Sequence, residues 1–238
     1  FEAVGAACLY FNLDREYFTT VGERIKFSVF HSVSAFCNAG FSILTDGFND
    51  FRIRNTYSLL YVIGSLIILG GIGFPILLNL YTYVKYKFLS VLSIIRFGKK
   101  KDYIPMMINI NSKLVIYTTS FLIIVGTILF FIFENDFTLK GMDLSGKIAH
   151  SFFGSVTPRT AGFNSTIMSQ LSVATVVLTI FLMWIGASPV STGGGIKTST
   201  FAIAMLNAFR IARVKTHIEF HKREIHERSV DRAFAIII

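Results

Sequence analysis

Apolar residues in this chain come in long unbroken blocks rather than at the spacing of a half-buried surface helix. No Asp, Glu, Lys or Arg occurs from Asn55 to Val84, from Leu114 to Phe133, or from Thr160 to Ile196. Each block reaches the roughly 20 residues that carry a helix across about 30 Å of hydrocarbon. Residues 1–11 read as the outer end of another membrane helix, followed by a polar link to about residue 23. Two further apolar stretches, Arg24–Cys37 and Lys147–Val156, are too short to span, and each stops at a loop containing glycine. Lying between spanning blocks, they predict re-entrant helices that enter and leave by the same face. Gly70–Pro75 should bend the first block. A helix over 170–186 should break at Ala187–Gly195, because three glycines at about 1 kcal/mol each and a proline at about 3 kcal/mol oppose a continuous helix. Helix should resume from Ile196 to Arg213, and a last apolar run begins near Ala233.

The two loops share a centre. Cys37-Asn38-Ala39-Gly40-Phe41-Ser42 and Thr157-Pro158-Arg159-Thr160-Ala161-Gly162-Phe163-Asn164 superpose on their Ala-Gly-Phe triplets at an offset of 122 residues, the separation of Gly40 and Gly162. Without gaps, the same offset pairs Phe11 with Phe133, Phe30 with Phe152, Leu60 with Leu182, Ile63 with Ile185, Gly64 with Gly186, Gly71 with Gly193, and Gly73 with Gly195. The chain reads as a tandem duplication, each copy built around a short glycine loop.

Composition agrees with the blocks: 53% of residues are hydrophobic and the mean hydropathy is +0.59. The net charge of +9 would suggest a nucleic-acid partner if it were spread evenly. It is not. Residues 85–113 hold seven Lys or Arg against Asp102, and residues 197–228 hold seven against Glu219, Glu224 and Glu227, whereas 1–54 and 134–159 are nearly balanced. Basic connectors stay in the cytoplasm, so the glycine loops face outward and no nucleic acid is expected. Cys8 and Cys37 offer neither a metal spacing nor a disulfide framework. The chain opens on Phe1 without a Met and reads as an excerpt of a longer protein.

A short helix entering from outside directs its partially negative C-terminal end toward the membrane centre, where it favours a cation. Backbone carbonyls of the following loop can replace an ion's hydration shell, and glycine gives the positive φ that such a carbonyl ladder tends to need. Asn38, Ala39 and Gly40, with Thr160, Ala161 and Gly162, are the expected cation ligands. The alternative is that these glycines merely permit close helix packing. Ser188, Pro189, Ser191, Thr192, Gly193, Gly194 and Gly195 form the expected gate: irregular backbone at membrane depth is tolerated where it meets a hydrated cavity, with water and the loop's hydroxyls as partners.

These motifs resemble the Trk/Ktr/HKT potassium transporters, most closely their KtrB/TrkH-type membrane subunits. Val156–Ser165 looks like a third filter, Ser34–Ser42 like a second, and Gly186–Lys197 like the family's broken third inner helix. The resemblance implies an all-α polytopic membrane protein of tandem helix–re-entrant pore loop–helix repeats, potassium-channel-like. It divides the chain into a second repeat over 1–110, a third over 111–225 and the start of a fourth over 226–238. It further implies K⁺ (or Na⁺) held at filter carbonyls as the transported ion, with no cofactor. It also implies a multi-pass place in the inner (plasma) membrane among lipid, a homodimer, and a cytosolic nucleotide-binding regulatory ring.

Two other functions were weighed. Ser188 after Gly186-Ala187 could serve an intramembrane serine protease, but such an enzyme needs a histidine base beside the serine, and at the repeat offset Ser188 pairs with Leu66. A broken-helix carrier commonly has inverted repeats, whereas these run in the same direction. His31 and His150 read as packed neutral imidazoles. His217, His221 and His226 read as a solvated face rather than a metal site. Arg159 reads as a brace on carbonyls, and Lys197 either snorkels or tethers the gate.

Overall fold

The computed structural model describes residues 1–14, 16–97, 110–213, 219–220, 223–224 and 227–237. Two sets of helices repeat one order. The first comprises α1 (Glu2–Asn12), α2 (Val21–Phe36), a loop, and α3 (Tyr57–Ile72) continued by α4 (Phe74–Phe97). The second comprises α5 (Ile110–Glu134), α6 (Leu144–Val156), a loop, α7 (Val173–Trp184), a non-helical stretch and α8 (Thr198–Ala212). A two-residue antiparallel pair, β1 (Glu219–Phe220) with β2 (Arg223–Glu224), precedes α9 (Glu227–Ile237). The architecture is otherwise helical.

The two short helices start where the sequence caps them. Thr20 accepts from the Glu23 N–H at 3.2 Å, and Asp143 accepts from the Gly146 N–H at 3.2 Å. A capping side chain takes up one of the orphan donors of a helix's first turn. At the far ends, Asn38 and Thr160 adopt positive φ of 51° and 74°, a conformation that helix cannot continue through. In each set the second helix packs against the first, α2 on α1 and α6 on α5, and α3 joins the sets by packing on α6. That crossing is close: a Cβ at Gly64 would come within 2.6 Å of the Phe152 ring. Phe48, buried in the loop after α2, has ring centres at 5.4 Å from His31, 5.8 Å from Phe153 and 5.2 Å from Phe163. One aromatic residue thus wedges the first loop onto the second.

α3 and α4 meet at 106°. Gly73, at φ +92°, makes the corner, and Pro75 in the first turn of α4 costs nothing there because that N–H has no helical partner. The expected bend is therefore sharper than a kink. α4 runs without a break to Phe97, and residues 98–109 fall outside the described residues. Among the described residues, Asn111–Glu134 is long and apolar enough to cross a membrane alone, and the α3–α4 pair passes only as one bent span. On α5, Tyr117, Phe121, Ile124, Ile128 and Ile132 form an exposed apolar stripe. A stripe of that size in water would be strongly unfavourable at about 25 cal/mol per Å², and lipid removes that cost.

Candidate functional site

The two glycine loops meet. Gly40 and Gly162 have φ of +73° and +82°. A Cβ added to Gly40 would overlap the Ala161 carbonyl oxygen and stand 3.1 Å from the Gly162 Cα, and one added to Gly162 would stand 3.6 Å from the Gly40 Cα. Residues that match at the repeat offset thus share both conformation and place.

Each loop is held from the end of its own short helix. The Ala39 N–H donates to Ser34 O at 2.9 Å, while those of Ala161 and Gly162 donate to Thr157 O at 3.1 and 3.2 Å. The hydroxyls of Ser34 and Thr157 reach across to the carbonyls of Phe41 and Phe163, at 2.8 and 2.5 Å. These bonds turn the carbonyl after each glycine back to the scaffold. Among the described residues no N–H or O–H donates to the carbonyls of Asn38, Ala39, Gly40, Thr160, Ala161 or Gly162. These six carbonyls carry no hydrogen bond from a described donor. Two side-chain oxygens at the same level, Asn38 Oδ1 and Thr160 Oγ1, are likewise buried without a partner among the described residues.

The histidines do more than pack. His31 Nδ1 lies 2.9 Å from Phe27 O and its Nε2 3.0 Å from Ser42 Oγ; with Nδ1 as donor, Nε2 accepts from the serine. His150 Nδ1 lies 3.1 Å from Ser165 Oγ. Each imidazole therefore pins the chain just past a glycine, from positions that do not match at the repeat offset. Neither meets Ser188, whose hydroxyl lies against Pro189 O at 3.4 Å. His217, His221 and His226 lie outside the described residues, so their reading is left where the sequence put it.

The stretch after α7 leaves the helix at Trp184 and returns at Thr198, closed by a parallel bridge between Ile185 and Ile196. Its backbone was expected to rely on water and its own hydroxyls; the structure supplies chain partners. Gly186 N–H donates to Ile196 O and Ala187 N–H to Gly194 O, both at 3.0 Å, and Ser188 N–H donates to Gly71 O at 2.9 Å. The corner between α3 and α4 is thus the bed on which this stretch rests. Thr192 touches the first glycine loop, and a Cβ at Gly193 would overlap Thr160 Oγ1 of the second. Arg159, almost wholly buried, donates to Gly186 O at 3.3 Å, and Lys197 Nζ donates to Gly193 O at 3.0 Å. Arg159 is a brace, and Lys197 tethers the stretch rather than snorkelling away.

Two glycine loops thus converge beside an irregular stretch in a largely helical chain. The family model described as "TrkH: Cation transport protein" matches residues 1–237, and the chain belongs to that family. It is 36% identical over 236 residues to the potassium/sodium uptake protein NtpJ of Enterococcus hirae, covering 99% of this chain and 47% of that protein. It is 32% identical over 239 residues to the Ktr system potassium uptake protein B of Vibrio alginolyticus, covering 100% of this chain and 48% of that protein. The crystal structure of the potassium transporter TrkH from Vibrio parahaemolyticus superposes with a TM-score of 0.65 at 16% identity, over 97% of this chain and 46% of that one. The chain spans about half the length of the curated relatives it matches.

Proposed function

We propose that this chain is part of a potassium uptake subunit, conducting K⁺ (or Na⁺) through a pore lined by single-glycine filter loops. The observation that carries the reading is the meeting of two loops at Gly40 and Gly162, with six carbonyls that no described donor engages. Carbonyl oxygens of Asn38, Ala39, Gly40, Thr160, Ala161 and Gly162 replace water around a dehydrated cation. The C-terminal ends of α2 and α6 add partial negative charge at the same point.

Residues 187–196, including Ser188, Pro189, Ser191, Thr192, Gly193, Gly194 and Gly195, form the gate beneath the filter. Arg159 and Lys197, bonded to the Gly186 carbonyl just before this loop and the Gly193 carbonyl within it, add positive charge to the barrier. Residues 1–110 act as a second pore repeat, 111–225 as a third with a broken inner helix, and 226–238 as the start of a fourth. The parent protein is a multi-pass subunit of the inner (plasma) membrane, forms a homodimer, and binds a cytosolic nucleotide-sensing ring through its basic connectors. It works without a cofactor and without nucleic acid, as a transporter rather than an enzyme.

The test is competition of Na⁺ against Rb⁺ uptake in cells carrying the full-length parent. Gly40→Ser and Gly162→Ser should each weaken the preference for Rb⁺ by about tenfold, since roughly 1–2 kcal/mol of left-handed backbone cost falls on the carbonyls themselves. Unchanged competition in both variants would remove the filter assignment.

A further inference from the structure

Two neighbouring residues of the second glycine loop are held from the first set of helices. Phe48 N–H donates to Asn164 O at 3.0 Å, and a Cβ at Gly47 would crowd the Asn164 side chain. The next residue, Ser165, meets Nδ1 of His150 at 3.1 Å, and the backbone of Arg54 bonds the same ring. Arg54 offers its carbonyl there, because its N–H already donates to Asp50 O at 2.9 Å. At 1% exposure, and with no carboxylate bonded to it among the described residues, the imidazole is neutral and carries one N–H. A carbonyl can only accept, so that N–H goes to Arg54. Nδ1 then accepts from the Ser165 hydroxyl.

Both ties come from one short piece of the first set, the return over residues 47–54 from its loop toward α3. The piece is stiff. Asp50 O accepts from Ile53 N–H and Arg54 N–H, and Arg52 closes on the Asp50 carboxylate. Just beyond it, Tyr57 OH donates to Asp143 Oδ1 at 2.6 Å, and Asp143 caps α6, the helix that carries His150. The earlier loop is served differently. Ser28, which matches His150 at the repeat offset, has a buried hydroxyl without a partner among the described residues. His31 bonds only to Phe27 and Ser42, both of its own set.

We propose that His150 is a positioning residue that makes the second glycine loop answer to the first set: through its ring, the outer return at Arg54 fixes where Ser165 leaves the loop, and so where the Gly162 carbonyl stands. The proposal rests on the filter reading above and adds that ion preference at Gly162 is set from across the boundary between the two sets. One ring must make both bonds. Bonded to Ser165 alone it passes on nothing from the first set, and bonded to Arg54 alone it holds nothing of the loop.

Competition of Na⁺ against Rb⁺ uptake, expressed per inserted full-length parent, tests the link with two substitutions that each keep half of it. In His150→Asn the side-chain oxygen falls near the place of Nδ1 and still accepts from Ser165, but the side chain is too short for Arg54. In His150→Gln the amide nitrogen falls near the far ring nitrogen and still donates to Arg54, while Ser165 loses its acceptor. Each should weaken the preference for Rb⁺ about fivefold, the factor for one hydrogen bond of ordinary net strength. A residue that only filled space would change the amount inserted and leave the competition alone. If the Asn variant keeps the parental preference, Ser165 is held locally and the link to the first set is wrong. If the Gln variant keeps it, the Ser165 bond is idle and the proposal is equally overturned. Gly162→Ser tells the two ideas apart. Should it shift the competition while neither His150 variant does, the link falls and the filter stands; should none of the three shift it, both fall. Ser165→Ala removes the hydroxyl alone and should match His150→Gln. It is read in place of the histidine variants if those do not insert, and unchanged competition there overturns the proposal.

Discussion

Asp50 is buried in the turn that follows Phe48, with both carboxylate oxygens taken by Arg52. Arg52 Nε donates to Oδ1 at 2.9 Å, a terminal nitrogen donates to Oδ2 at 2.8 Å, and the Arg52 N–H adds a third bond at 3.0 Å. The guanidinium bonds hold the Asp50 carboxyl below its ordinary range, against the opposing effect of burial. A carboxyl lowered in the folded state stabilises above its unfolded pKa of about 3.9, and that contribution fades as pH falls through the lower folded value. Asp50→Asn should therefore lower the unfolding temperature of the detergent-solubilised parent at pH 7 by a few degrees. The gap from wild type should close as the pH is brought below about 4. A gap that is constant with pH would mean the turn is held by packing alone. At this scale the glycines were legible in the sequence, because a repeated triplet stands out. The work of His31 and His150 was not. Their partners lie 11 and 15 residues away at positions that break the repeat, and only a serine shortly after each glycine hinted at them.

Among the helices, the joint at Glu134 sets the tilt of α7. Glu134 closes α5 and is fully buried. One oxygen accepts from Ser172 N–H at 2.8 Å, and the other from Thr138 N–H and hydroxyl at 3.2 and 2.7 Å. Ser172 is the N-cap of α7, so one carboxylate joins the end of α5 to the start of α7. Glu134→Ala would strand three donors, at about 1–3 kcal/mol for each buried group left unpaired. The expected outcome is a drop of several degrees in thermal unfolding of the parent, with Na⁺ competition against Rb⁺ unchanged; altered competition would tie this joint to the filter instead. The elements themselves were readable from the charge-free blocks and the short apolar stretches, although both short helices start three residues earlier, at the caps Thr20 and Asp143. The sharp corner at Gly73 was read only as a bend, because glycine permits a turn without specifying its angle. The bed that this corner makes for residues 188–192 depends on contacts more than a hundred residues apart, which no local pattern encodes.

For the molecule as a whole, charge asymmetry is the sequence's statement of orientation, while the apolar blocks do not give the number of spans, since the block over 55–84 is folded through 106° at its middle. The basic connectors hold more Lys and Arg than orientation requires. Neutralising Lys85, Lys87, Arg210 and Arg213 should leave topology intact, because other positive residues remain, but should weaken copurification of the cytosolic ring by about tenfold or more. The alternative role for these residues is contact with anionic lipid, at about 1 kcal/mol each. Undiminished copurification would assign them to lipid.

The unlike pair Asn38 and Thr160 carries one consequence further. A duplicated ancestor with identical halves could have exchanged one half for the other without penalty. Here the loop belonging to the later half is fastened by the longer amide of the earlier one, and Thr160 is too short to return the favour. The halves are no longer interchangeable. A chain of two earlier halves would have a clasp and nothing to fasten, and a chain of two later halves would have two loops and no clasp. What remains of the old symmetry is the pair of glycine loops; beyond them one copy makes the corner at Gly73 and the other the broken helix that rests on it.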